Sequence, residues 1–155
     1  MRKVIFLDFD GVLNTEYYQW FLHNQGKPYF DEYGSCFDPS AVIQLKRIID
    51  ETGADIVVES TWKHLGLEAM KELWQVRNLP GRIIDITPDI PDTPPCKGLE
   101  IEQWITDNTD DELRYIILDD EYVITDSQLE NFILLNPYEG ITEDVTSRAI
   151  AILNG

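Results

Sequence analysis

From Lys3 to Asp8 the chain passes through Val4, Ile5, Phe6 and Leu7 and then meets Asp-Phe-Asp-Gly, Asp8 to Gly11. A run this short, rich in Val, Ile and Phe, reads as a strand buried on both faces. Such a strand needs layers on both sides of its sheet, which confines the chain to few architectures. The rest of the sequence fits one of them. Asp38 before Pro39 is an N-cap with proline at the first helical position, and Val42, Leu45, Ile48 and Ile49 keep helical spacing until Gly53. Ile56 to Val58 predicts a second strand. Leu65, Ala69, Leu73 and Val76 predict a helix closed by Asn78 and Pro80, and Arg82 to Ile86 a third strand. Pro88 to Pro95, with four prolines and two aspartates, reads as a stiff surface loop. Leu99, Ile101, Trp104 and Ile105 then mark a helix, Tyr115 to Leu118 and Phe132 to Leu135 two more strands, and Thr142 to Leu153 a closing helix. Five strands alternating with helices predict an α/β fold, a doubly wound, Rossmann-like parallel sheet in one domain spanning 1–155. In such sheets, ligands bind outside the carboxyl ends of the strands.

Four polar clusters fall at those ends. They are Asp8 and Asp10 after the first strand, Ser60 and Thr61 after the second, Lys97 opening a helix, and Asp119 and Asp120 after the fourth. Carboxylates gathered on one edge cannot all stay ionised near neutrality without compensating cations, so the pattern calls for a hard divalent ion, Mg2+, and a lysine. Singly, each piece has an ordinary reading. Asp-x-Asp caps strands or binds metal in nucleotide-sugar transferases, Asp119-Asp120-Glu121 suits a solvated turn, and a lysine at a helix start is usually surface. The joint order and spacing carry the signal.

Composition narrows the partners. The 155 residues are 43% hydrophobic and 26% charged, as in globular proteins, and no apolar run nears the ~18 residues that span a bilayer. Asp8 and Asp10 interrupt the apolar start too early for a signal peptide, so a cytoplasmic protein is expected. Twenty-nine acids against 12 bases give −17, a field that repels free nucleic acid and membrane surfaces. Cys36 and Cys96 lack CxxC or His-partnered spacing and are expected to be free thiols.

Asp8-Phe9-Asp10-Gly11-Val12-Leu13-Asn14, the serine after the second strand, Lys97 and Asp119-Asp120 resemble the four motifs of the haloacid dehalogenase (HAD) superfamily of phosphohydrolases. Thr52 to Val58 followed by Glu59-Ser60-Thr61-Trp62-Lys63 is similar to a small, capless HAD-like subgroup, from whose pattern Glu59 and Lys63 depart. The resemblance implies a magnesium-dependent phosphatase working through an aspartyl-phosphate. Asp8 is then the nucleophile and Asp10 the general acid and base. Ser60 or Thr61, with Lys97, binds the phosphoryl group, and Asp8, the Asp10 backbone carbonyl, Asp119 and Asp120 hold the metal. The two slots where the superfamily inserts caps, Thr15 to Phe37 and Pro88 to Cys96, are short, which implies an open site for a small or macromolecular phosphorylated substrate. The first slot holds Tyr17, Tyr18, Trp20, Phe21, Tyr29, Phe30 and Tyr33, either a wall beside the phosphate or a helical hairpin packed on the core. His23 and His64 have no partners at metal-ligand spacing and are expected to be structural or exposed. A phosphoacceptor receiver domain would place its acid pair after the first strand. A silent binding module would lack Asp8 or Asp10. A phosphotransferase or mutase would share every residue above.

Overall fold

In the computed structural model, which describes residues 1–108 and 112–155, the first apolar run forms β1 (Arg2–Leu7), the centre of a five-stranded sheet. The other strands are β2 (Asp55–Val58), β3 (Ile83–Ile86), β4 (Leu113–Asp119) and β5 (Phe132–Leu134). Their order is β3-β2-β1-β4-β5, with every neighbouring pair parallel. The helices are α1 (Glu16–Asn24), α2 (Pro39–Thr52), α3 (Leu67–Val76), α4 (Lys97–Asn108) and α5 (Glu143–Asn154). The sheet has the expected two-faced burial. Ile5 and Leu7 join a core with Leu45 and Ile48 of α2, Met70 and Leu73 of α3 and Ala149 and Leu153 of α5. Val4 and Phe6 point the other way, onto Ile101 and Trp104 of α4. No helix among the described residues is long and apolar enough to cross a membrane.

Two expectations change. The helix read from Leu65 to Val76 is broken: Thr61–Leu65 is a 3-10 turn capped by the Ser60 side chain on the Trp62 amide, and α3 begins only at Leu67. Gly66, with φ of +100°, separates the two, so Leu65 leaves the apolar stripe and stands 57% exposed. In the aromatic slot no helical hairpin forms. α1 covers its first half, and residues 25–37, interrupted by Gly26, Pro28 and Gly34, close as a strap with a bridge between Phe30 and Ser35. Trp20 and Phe30 are exposed, whereas Phe37 is buried.

The chain leaves β1 for β2 on one side and later returns as β4 on the other, so β1 stands at the topological switch point. Leu7 pairs with Val58 and with Leu118, which sets Asp8, Glu59 and Asp119 abreast at one edge. A buried pair braces this edge. Lys63, 4% exposed, donates to Glu100 of α4 at 2.8 Å and to Thr87 after β3 at 3.1 Å. Lys63→Met strands the Glu100 charge and is expected to cost about 3–5 kcal/mol, most of which Lys63→Met combined with Glu100→Leu restores. Urea unfolding of the two variants measures this; equal losses in both would show that the pair is not the cause.

Candidate active site

Asp8 stands one residue beyond β1, its amide donating to Leu118 O at 3.1 Å and its Oδ1 accepting from the Phe9 amide at 2.9 Å. The backbone then turns sharply. The amides of Val12, Leu13 and Asn14 all reach Phe9 O, while Gly11, at φ +76°, donates to Asn14 Oδ1 at 2.9 Å. A side chain on Gly11 would collide with the Asp120 carboxylate, so this position needs glycine for space as well as for its φ. The bend leaves Asp10 in a groove that it shares with Asn14 and Asp120. The Asp10 carboxylate accepts from Asn14 Nδ2 at 2.7 Å and from Trp62 Nε1 at 3.2 and 3.3 Å.

Asp8, Asp119 and Asp120 each offer an oxygen, and these atoms lie within 4.8 Å of one another. Asp8 and Asp119 are buried. Three hard oxygen donors at such spacing fit a divalent cation of the Mg2+ class. The Asp10 carboxylate is not in this group, which leaves its backbone carbonyl as that residue's possible ligand. Lys97, at the start of α4, extends Nζ to 2.9 Å from Asp119, 3.4 Å from Asp8 and 3.6 Å from Glu59.

The electrostatics match a site short of positive charge. Burial, then the charge of Asp119, pushes Asp8 up to about 8 against the opposing pull of Lys97. Burial and the Asp119 hydrogen bond raise Asp120 to about 6. Burial also pushes Asp119 upward, but its contacts with Glu59 and Lys97 win and hold it below the usual carboxylate range. Lys97 is desolvated too, yet Glu59, Asp8 and Asp119 raise it further above an ordinary lysine.

Glu59 is a site residue that sequence reasoning did not assign. It is 1% exposed, and as a carboxylate neither oxygen has a hydrogen-bond donor among the described residues. Burial, with Asp119 beside it, raises its pKa well above normal against the opposing pull of Lys97, which favours the protonated form. Its signal was its place, directly after the buried run Ile56 to Val58. Ser60 is fully buried with its Oγ on the Trp62 amide, and Thr61 is exposed at the mouth. Thr61, Lys63, Glu59, Lys97 and Tyr122 line a cavity of about 460 Å³. Asp10 instead faces two shallower grooves, one with Asn14 and Asp120 and the other with Tyr33, Gly34 and Trp62. His23 and His64 are both exposed, and Cys36 and Cys96 are free thiols.

Residues 4–145 match the family described as the HAD domain in Swiss Army Knife RNA repair proteins. No match was found among curated proteins or among solved structures.

Proposed function

From the premise that the chain belongs to the family of HAD domains in Swiss Army Knife RNA repair proteins, we propose that it is a magnesium-dependent phosphatase acting through an aspartyl-phosphate on Asp8. HAD membership supports phosphoryl hydrolysis or transfer in general. The observation that carries the finer reading is the convergence on Lys97 of Asp8 and Asp119, with Asp10 in a groove beside Asp120. In this reading an Asp8 oxygen attacks phosphorus and forms the acyl-phosphate bond. The bond from phosphorus to the leaving oxygen breaks, and Asp10, as the acid, gives that oxygen a proton. Asp10, now a carboxylate, takes a proton from the water that attacks the phosphoenzyme, which releases phosphate and restores Asp8. Lys97 offsets charge on the phosphoryl oxygens, and of the two expected hydroxyls that of Thr61 is the candidate to hydrogen-bond them, since Ser60 is fully buried on the Trp62 amide. Asp8, Asp119 and Asp120, with the Asp10 carbonyl, would hold the ion, which supplies charge neutralisation for the phosphoryl group.

The substrate we infer is a phosphate monoester at an accessible end. The family's description names RNA repair, and a phosphorylated RNA terminus is such a monoester. A net charge of −17 repels a long polyanion, so contact beyond the terminal nucleotides should be slight. The test is phosphate release, with and without Mg2+, from p-nitrophenyl phosphate, nucleoside monophosphates and end-phosphorylated oligoribonucleotides. Magnesium-dependent release from any of them supports the reading, and none from the whole panel overturns it.

A further inference from the structure

The carboxylate assigned above as acid and base is held by two side chains, Asn14 and Trp62, to which no role has yet been given. Asp10 is exposed at the mouth of the site, where a free side chain would sample several rotamers. It is instead gripped from two sides. Asn14 Nδ2 donates to Oδ1 at 2.7 Å, and the indole Nε1 of Trp62, 52 residues away, donates to both oxygens at 3.2 and 3.3 Å. Resting on the phosphatase reading, we propose that Trp62 is a positioning residue for Asp10, and that the strap of residues 31–35 positions Trp62.

The indole is itself confined. Its ring meets Phe9 edge-on at 5.2 Å and lies tilted on Phe37 at 5.6 Å. The backbone of Gly34 presses on its outer edge, where a Cβ would come within 2.6 Å of Trp62 Cη2. The strap is fixed in turn by Arg77, at the end of α3. Its guanidinium takes Asp31 through Nε at 3.0 Å and Nη2 at 2.7 Å, and donates to Ser35 O and Gly34 O, both at 3.0 Å. It also covers the Phe37 ring at 4.6 Å. The short first slot therefore acts as a buttress. Residues too few to form a cap over the substrate instead lock the tryptophan whose N–H aims the acid. Because an indole N–H only donates, it favours the Asp10 orientation that presents both oxygens to it and keeps the carboxyl on the wall of the groove shared by Tyr33, Gly34 and Trp62.

Trp62→Phe removes the donor and keeps a ring against Phe9 and Phe37. If Trp62 aims Asp10, the loss must depend on how much the leaving group needs a proton. In single-turnover assays of phosphoenzyme formation, p-nitrophenyl phosphate, whose phenolate leaves unprotonated, should be nearly unaffected. An alkyl phosphate, whose alkoxide must be protonated, should slow by about 10- to 100-fold, the size usual for outer partners of a reacting group. Gly34→Ala, which pushes on the indole without touching Asp10, should show the same split. Equal losses for both esters, or none for the alkyl ester, would overturn the proposal. A second readout needs no turnover: in ¹⁵N NMR the Trp62 indole N–H, assigned by its absence in Trp62→Phe, should shift in Asp10→Ala while the other three tryptophan indoles stay in place. An unmoved Trp62 signal also overturns the proposal, even if the protein hydrolyses no phosphate ester, so the contact and the phosphatase reading are judged separately.

Discussion

Asp8→Asn is expected to reduce phosphate release by roughly 10⁴-fold or more, the scale on which removal of a covalent nucleophile is felt, while leaving the fold intact. The amide is nearly isosteric with the carboxylate and can still accept from the Phe9 amide as Asp8 does at 2.9 Å. It also removes a buried acid whose ionised form is disfavoured beside Asp119, so the variant should be at least as stable as the wild type near neutrality. What is lost is the carboxylate, since a neutral amide is too weak a nucleophile to bond to phosphorus. Asp10→Asn should differ in kind, because the nucleophile remains. With an activated aryl ester the phosphoenzyme should form and then persist, since no base activates the hydrolytic water. Trapping with ³²P-labelled substrate distinguishes the two variants: label retained on Asp10→Asn and absent from Asp8→Asn is the expected pattern. Label on Asp8→Asn would remove Asp8 from its assigned role.

Magnesium is expected to raise the melting temperature by about 5–10 °C when present at ~100 times its dissociation constant, because it binds the folded cluster and hardly the unfolded chain. The rise should depend on pH with a definite sign. Burial and Asp119 raise Asp8 to about 8 in the metal-free protein, from 3.8, and Asp120 to about 6. A carboxyl whose folded pKa is raised adds stability that is complete below its unfolded value and lost as pH climbs through the folded one. The metal-free protein should therefore lose stability between about pH 4 and pH 8. The ion competes with those same protons, so its stabilising effect should grow over that window and be larger at pH 8 than at pH 6. Asp119→Asn removes one of the three converging oxygens and should abolish most of the rise. Thermal titrations of wild type and variant at the two pH values provide the measurement; an undiminished response in Asp119→Asn would place the ion elsewhere.

Much of this site was legible before any coordinates because each feature was local. The run Val4 to Leu7 and the bend at Gly11 are written in consecutive residues, and the rule that parallel strands deliver their ends to one edge brings Asp8, Lys97 and Asp119 together across 111 positions of sequence. The crowding at position 11 was not legible in this way: Asp120 fills the space that a Cβ would take, a contact between residues of two different strand ends.

The parts that stayed hidden share a physical cause, since each depends on the environment that a residue enters rather than on its type. Glu59 looked only like a departure from the subgroup's pattern, and its meaning came from the register that sets it abreast of Asp8 and Asp119 and next to Lys97, where burial raises its pKa well above normal. Lys63 looked like a second departure from that pattern until Glu100 and Thr87, 37 and 24 residues away, closed around it. The aromatic slot was expected to pack most of its rings on the core and to offer one or two to substrate, because helical spacing cannot tell that Gly26, Pro28 and Gly34 will fold its second half into a strap tied down by Arg77. The sequence by itself determined the strands, their common edge and the acids upon it, since short-range patterning and the handedness of parallel crossovers suffice for those. Only the tertiary structure decided which carboxyl groups lie close enough to share an ion, which of them burial disfavours as charges, and which indole reaches Asp10, because desolvation and hydrogen-bond geometry arise only once distant segments have packed.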